Sequence, residues 1–181
     1  MSSTLLIGGV RSGKSAWAER YAQPFWRKVF LATAGTVDDD MRERIRNHQA
    51  RRGEGWQTIE TGKHLHQNLA SVSAEPGCIV VDCLTVWTAL IMNDNPSLYQ
   101  IVNDHVKPIA ECIQTAKADI VIVTNEVGMG VHPEYESGRR YRDLLGMVNQ
   151  EIAEICDHVI LFVAGIPTAV KGSVPNAQQC R

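Results

Sequence analysis

Short apolar runs alternate with helix-like segments along most of this 181-residue chain. The runs fall at residues 4–7, 28–35, 56–60, 78–83, 119–124 and 158–165. Most are rich in Val, Ile and Leu and apolar at nearly every position, the pattern of strands covered on both faces. Between them, residues 16–22, 38–52, 62–73, 84–92, 97–116 and 137–155 read as helices. In 97–116 the residues Leu98, Ile101, Val102, Ile109, Ala110 and Ile113 mark one buried face, which Pro108 is expected to bend or interrupt. The run at 158–165 reads as the last strand, and residues 172–181, with Gly172, Pro175 and polar side chains, as a flexible tail. Strands and helices that alternate in this way are expected to form βαβ units. The expected fold is therefore α/β: one domain over residues 1–171, a mainly parallel sheet flanked by helices.

Charge and cysteine usage narrow the partners. With 18 basic and 20 acidic residues and a formal net charge of −2, the chain lacks the basic excess that marks nucleic-acid or anionic-membrane binding. No apolar run approaches the ~18–20 residues that span a bilayer, and no signal peptide is recognisable at the start. Cys78, Cys83, Cys112, Cys156 and Cys180 form no C-x-x-C pair. Disulfide and zinc readings are weak, and Cys78, Cys83 and Cys156, in or beside apolar runs, read as small buried hydrophobes of a protein in the reducing cytoplasm.

The chemistry starts directly after the first run. Gly8-Gly9-Val10-Arg11-Ser12-Gly13-Lys14-Ser15 matches G-x-x-x-x-G-K-[ST] and stands between an expected strand and an expected helix, the context of a P-loop. In such a loop successive backbone N–H groups curl around phosphate oxygens, Lys14 reaches the β- and γ-phosphates, and the Ser15 hydroxyl is a ligand for Mg²⁺. A P-loop NTPase-type domain in a RecA-like arrangement is the corresponding expectation. Small residues at the end of the second run, Thr33, Ala34 and Gly35, are either candidates to line the nucleotide pocket, because ligands of open α/β sheets sit at the carboxyl ends of strands, or ordinary turn formers. The run at 78–83 ends in Asp82, the pattern of a Walker B carboxylate that holds Mg²⁺ directly or through water. Glu60, ending the run at 56–60, is either a solvated carboxylate or an acceptor for the N–H groups of a guanine base.

Two further features leave alternatives open. On the helix expected at 38–52, Met41, Ile45, His48 and Arg52 share one stripe, so His48 points inward as either a structural or a catalytic histidine. At the start of the helix expected at 137–155, Arg139, Arg140 and Arg142 oppose the helix dipole unless phosphates or neighbouring acids such as Glu136 and Asp143 offset them. The loop at 125–133, with Gly128, Gly130 and Pro133, follows a central run and stands where loops often carry function.

Taken together, the P-loop, Asp40-Met41-x-x-Arg44-Ile45-x-x-His48-x-x-x-Arg52, Trp56-x-Thr58-x-Glu60, Asp82-Cys83-Leu84-Thr85, Asn125-Glu126-Val127-Gly128-Met129-Gly130 and Arg142-Asp143-x-x-Gly146-x-x-Asn149-Gln150 form an ordered set. On these motifs the chain, from about Leu5 to Lys171, resembles the bifunctional cobinamide kinase / cobinamide-phosphate guanylyltransferases of cobalamin biosynthesis. The resemblance implies a cytoplasmic homotrimeric enzyme. It would phosphorylate adenosylcobinamide with ATP or GTP, then transfer GMP from GTP through a guanylylated histidine, giving adenosylcobinamide-GDP. By motif that histidine falls on His48, with Lys14 as its catalytic partner, Arg51, Arg52 and the P-loop on the phosphates, Glu60 near the guanine, and Mg²⁺ on Ser15 and Asp82. His132, before Pro133, departs from the apolar residue more usual in the family. The alternatives are a P-loop kinase of another small metabolite and a GTP-binding regulatory module without turnover.

Overall fold

The structure, a computed structural model, describes residues 1–34 and 53–176. Its elements in chain order are β1 (Ser3–Gly8), α1 (Lys14–Ala22), β2 (Lys28–Ala32), β3 (Trp56–Glu60), α2 (Leu65–Ser73), β4 (Cys78–Asp82), α3 (Leu84–Ile91), α4 (Leu98–Ile101), a π-helical turn (Val102–Val106), α5 (Lys107–Thr115), β5 (Asp119–Val123), α6 (Glu136–Ile155), β6 (His158–Val163) and β7 (Ile166–Lys171). The strands form one sheet in the order β3-β2-β4-β5-β1-β6-β7, parallel throughout except for β7. The expected α/β domain with a mainly parallel sheet flanked by helices is the fold observed.

Successive side chains of a strand point to opposite faces, and the core divides accordingly. On one face Leu5, Val29, Leu31, Ile79, Val81, Ile120 and Ile122 pack under α2, α3, α5 and α6, through Leu69, Trp87, Ile109, Leu144 and Val148 among others. On the other face Leu6, Phe30, Val80, Val121, Val123, Ile160 and Phe162 receive Ala18, Tyr21 and Ala22 of α1. Tyr21 satisfies its polar end within this layer by donating its hydroxyl to Asp119 Oδ2 at 2.9 Å. Of the tryptophans, Trp87 is core, Trp17 stacks on Tyr21 at 5.4 Å, and Trp26 is 79 % exposed.

Pro108 interrupts its helix as expected, but the irregularity falls in the turn before it. Proline has no N–H to donate and its ring crowds the carbonyl four residues back. The chain widens, so that the Lys107 N–H reaches the Val102 carbonyl, and Pro108 sits in the first turn of α5, where a missing donor is tolerated.

One expectation fails. The run at 158–165 is not the last strand: β6 ends at Val163, and Ala164 and Gly165 turn the chain back into β7, which pairs antiparallel with β6 from Val163↔Ile166 onward. Both turn residues have positive φ, 51° at Ala164 and 84° at Gly165, as the mirror-image two-residue hairpin turns require. Alanine carries no signal for that conformation, and Pro167 is a residue that strands rarely hold. It is tolerated because β7 is an edge strand. Beyond β7 the Ser173 N–H donates to His158 Nδ1 at 3.0 Å.

Replacing Ala164 with Asn would create the Asn-Gly pair that this turn prefers. Ala164→Asn is expected to stabilise the protein by about 0.5–1 kcal/mol, read as a rise in urea midpoint with unchanged m-value.

Candidate active site

Strand register brings the chemistry to one edge of the sheet. Glu60 pairs with Ala32, Ala32 with Asp82, Asp82 with Val123, and Val123 with Leu6, two residues before the start of the phosphate loop. At about 4.8 Å per strand, Asp82 lies about 10 Å from β1 and Glu60 about 19 Å, so the edge forms a row with the phosphate loop towards one end and Glu60 at the other.

The loop has the geometry its glycines predict, with an added reason at the first. Gly8 has φ +147°, and a Cβ there would meet the Phe162 carbonyl oxygen at 2.4 Å, so the neighbouring strand β6 already occupies the space a side chain needs. Gly13 has φ +101° and precedes α1, whose N-terminal end faces the loop. The hairpin missed in the sequence closes this structure from outside: the Gly165 N–H donates to the Ser12 carbonyl at 3.0 Å.

Lys14 lies inside the curl. Its ammonium donates to the carbonyls of Gly8 at 2.9 Å and Gly9 at 2.6 Å and to Ser12 Oγ at 3.2 Å, and the residue is 5 % exposed. Burial pushes its pKa below the usual lysine value, against the opposing pull of Cys83 and Asp82. Ser15, in the first turn of α1, and Asp82, at the end of β4, are both half-buried. The Asp82–Cys83 peptide bond is cis. Burial, with Asp82 second, pushes the Cys83 thiol up to about 11, which leaves it neutral near pH 7.

Thr33 stands at this edge but its hydroxyl is committed to the protein. It donates to the Cys83 carbonyl and accepts from the Cys83 N–H, both at 2.8 Å, and so ties the end of β2 to the chain leaving Asp82. Ala34 is half-buried beside it, and Glu60 is exposed at the end of the edge strand β3. Gly9, Val10 and Arg11 line the exposed rim of the loop. Gly35, His48, Arg51 and Arg52, together with the helix expected at 38–52, lie outside the described residues.

At the start of α6, Arg139 and Arg140 find partners that the charge pattern did not indicate, whereas Arg142 finds the expected neighbouring acid, Asp143. Arg139 donates to the carbonyls of Pro133 and Glu134, and Arg140 to those of Met92, Asn95 and Pro96, so both bind backbone oxygens at loop ends. Arg142 meets His132 Nδ1 at 2.8 Å and pairs with Asp143. Thr85, Asn125 and Asn149, motif residues with no role assigned from the sequence, brace the loop after β5 together with Thr124. The Asn125 N–H donates to Thr85 Oγ1 at 2.9 Å, the Asn149 amide donates to the Asn125 carbonyl at 3.1 Å, and Thr124 donates to Asn149 Oδ1 at 2.8 Å. Asn149, a polar residue on the apolar face of α6, was the available signal.

A phosphate loop between β1 and α1, an aspartate ending a nearby parallel strand and this strand order define a P-loop NTPase-type nucleotide-binding domain. The same fold is found in a prototypical ATPase from the type III secretion system of pathogenic bacteria (TM-score 0.56, 8 % identity, 93 % of this chain and 56 % of that one). It recurs in the PH0250 protein of Pyrococcus horikoshii OT3 (TM-score 0.55, 9 % identity, 94 % and 86 %). At the level of sequence, residues 4–170 match the family model of cobinamide kinase / cobinamide phosphate guanyltransferase, and the chain belongs to that family. It is 41 % identical over 170 residues to the bifunctional adenosylcobalamin biosynthesis protein CobP of Pseudomonas aeruginosa, covering 93 % of this chain and 96 % of the relative. To CobU of Escherichia coli K12, described in the same words, it is 33 % identical over 178 residues, covering 92 % and 98 %.

Because folding lowers the Lys14 pKa, its ammonium costs stability at neutral pH, and this cost fades only as the pH climbs towards the ordinary lysine value. Lys14→Met is therefore expected to melt no lower than the wild type without nucleotide. GTP at about 100 Kd should stabilise the wild type by about 2.7 kcal/mol and leave the variant unshifted, as differential scanning fluorimetry would show.

Proposed function

We propose that this protein phosphorylates the hydroxyl of adenosylcobinamide with ATP or GTP and then transfers GMP from GTP to that phosphate, by way of a guanylylated His48, giving adenosylcobinamide-GDP. Membership of the family supports the two activities. The observation that carries the site is the Lys14 ammonium held within the phosphate loop at the edge that Asp82 shares. His48 lies outside the described residues, and its role rests on the motif that includes Met41, Ile45 and Arg52.

In the guanylyl step a neutral imidazole, with an ordinary pKa of about 6.5, attacks the α-phosphorus with its lone pair. An N–P bond forms, the bond to the bridging oxygen breaks, and pyrophosphate leaves with that electron pair. The acceptor's phosphate oxygen then displaces the histidine. The loop amides, Lys14, Arg51 and Arg52 neutralise phosphate charge in both halves of the reaction, and Thr33 keeps the wall beside Asp82 in place. Glu60 accepts from the guanine N–H groups at the far end of the edge.

The donor set fits Mg²⁺. Ser15 offers a hydroxyl and Asp82 a carboxylate, both hard oxygen ligands, and among the described residues there is no group of three or more His, Cys, Asp or Glu side chains able to hold a metal by themselves. That agrees with an ion that keeps substrate phosphates in its shell. When bound, Mg²⁺ neutralises charge on the transferred and departing phosphates. No described helix is long and apolar enough to cross a membrane. A homotrimer working in the cytoplasm belongs to the same reading.

Incubation with GTP labelled at the α-phosphate is expected to leave acid-labile, alkali-stable label on the protein, and His48→Ala should remove it while sparing most cobinamide phosphorylation. Lys14→Ala should impair both steps. An unlabelled wild type would sink the covalent route, and equal loss of both steps in a folded His48→Ala would contradict the division of roles.

A further inference from the structure

β5 lies between β1 and β4, and Val123 near its end pairs in register with both Leu6, which leads into the phosphate loop, and Asp82. Residues leaving β5 therefore emerge between the phosphate cradle and the Mg²⁺-type aspartate. Glu126 is the acid in that stretch. Its backbone N–H donates to the Gly8 carbonyl at 3.2 Å, and the Lys14 ammonium donates to the same oxygen at 2.9 Å. The Glu126 backbone nitrogen and the Lys14 ammonium thus share one carbonyl oxygen, which places the root of Glu126 beside the charge that holds the phosphates.

The side chain is seated as deliberately as the backbone. The Gly128 N–H donates to Glu126 Oε1, and a Cβ added at Gly128 would stand 2.8 Å from that same oxygen. Glu126-Val127-Gly128 therefore forms a short loop around a carboxylate, with glycine where any side chain would push the acid aside. Beneath it, the Thr85, Asn125, Thr124 and Asn149 bonds hold the root of the loop, and Asn149 is 7 % exposed. A buried, satisfied polar network of this kind gives a single geometry to the group it supports.

We propose that Glu126 is the general base of the kinase step, a proposal that rests on the kinase half of the function given above. The hydroxyl oxygen of the acceptor attacks the γ-phosphorus of the nucleoside triphosphate. The new O–P bond forms as the bond from the γ-phosphorus to the β–γ bridging oxygen breaks, and the nucleoside diphosphate leaves with that electron pair. The hydroxyl proton passes to the Glu126 carboxylate and from there to solvent. The guanylyl half needs no such group: a phosphate oxygen is already ionised when it attacks, and His48 attacks with a lone pair. Glu126 therefore serves one of the two reactions that share the cradle.

Glu126→Gln keeps the size of the side chain and an oxygen for the Gly128 N–H. It is expected to lower kcat for cobinamide phosphorylation about 10²-fold, the lower end of what a general base contributes, because the transition state is loose. KM for the nucleotide should stay within about threefold, and α-label should enter the protein at the wild-type rate. Gly128→Ala retains the carboxylate but displaces it, and should cost about tenfold in the same kcat with an unchanged melting temperature, since only the far end of a flexible side chain has to move. A Glu126→Gln kinase kcat within about threefold of wild type overturns the proposal. So does equal loss of labelling and phosphorylation at a wild-type melting temperature, which would make Glu126 a support of the phosphate loop. A wild type that labels with GTP but never phosphorylates cobinamide overturns the kinase reading together with this proposal.

Discussion

The ammonium of Lys14 is buried among the carbonyls of Gly8 and Gly9, and most of what surrounds it can be understood as what that arrangement requires. A cation taken out of water is costly unless hydrogen-bonded. Loop carbonyls turned inward supply those bonds, and the turn that aims them needs positive φ at Gly8 and Gly13. Phosphates would replace the carbonyls as partners and add charge compensation. The free protein thus holds its lysine in a state that a nucleotide improves.

Keeping the loop in this form is a collective effect. On one side β6 fills the space behind Gly8, through the Phe162 carbonyl, and the β6–β7 turn bonds the Ser12 carbonyl. On the other, the Glu126 N–H occupies the outer side of the Gly8 carbonyl. The loop is therefore clamped between the two strands that flank β1, neither of which is near it in sequence. Parallel pairing makes this possible, because it brings β1, β5 and β6 out at the same edge.

Much of this was legible before folding. Buried parallel strands are apolar at nearly every position, so β1, β2, β4, β5 and β6 were recognisable from composition alone, and the phosphate loop from its glycines and lysine. Asp82 was visible as an acid ending such a strand. The β6–β7 turn was hidden because Ala164 adopts a positive φ that its side chain does not announce, and the partners of Arg139 and Arg140 were hidden because backbone carbonyls leave no charge pattern to read. Thr33 was expected at the pocket wall; that its hydroxyl closes on both backbone groups of Cys83 depends on the register of β2 against β4.

By itself the sequence determined the alternation of strand and helix, the identity of the phosphate loop and the family, since periodicity, steric need for glycine and motif spacing are local properties of the chain. Strand order was decided only in three dimensions, by which apolar faces pack together, and no short stretch encodes it. That order sets β5 between β1 and β4, which turns Glu126 from an ordinary loop acid into a neighbour of Lys14.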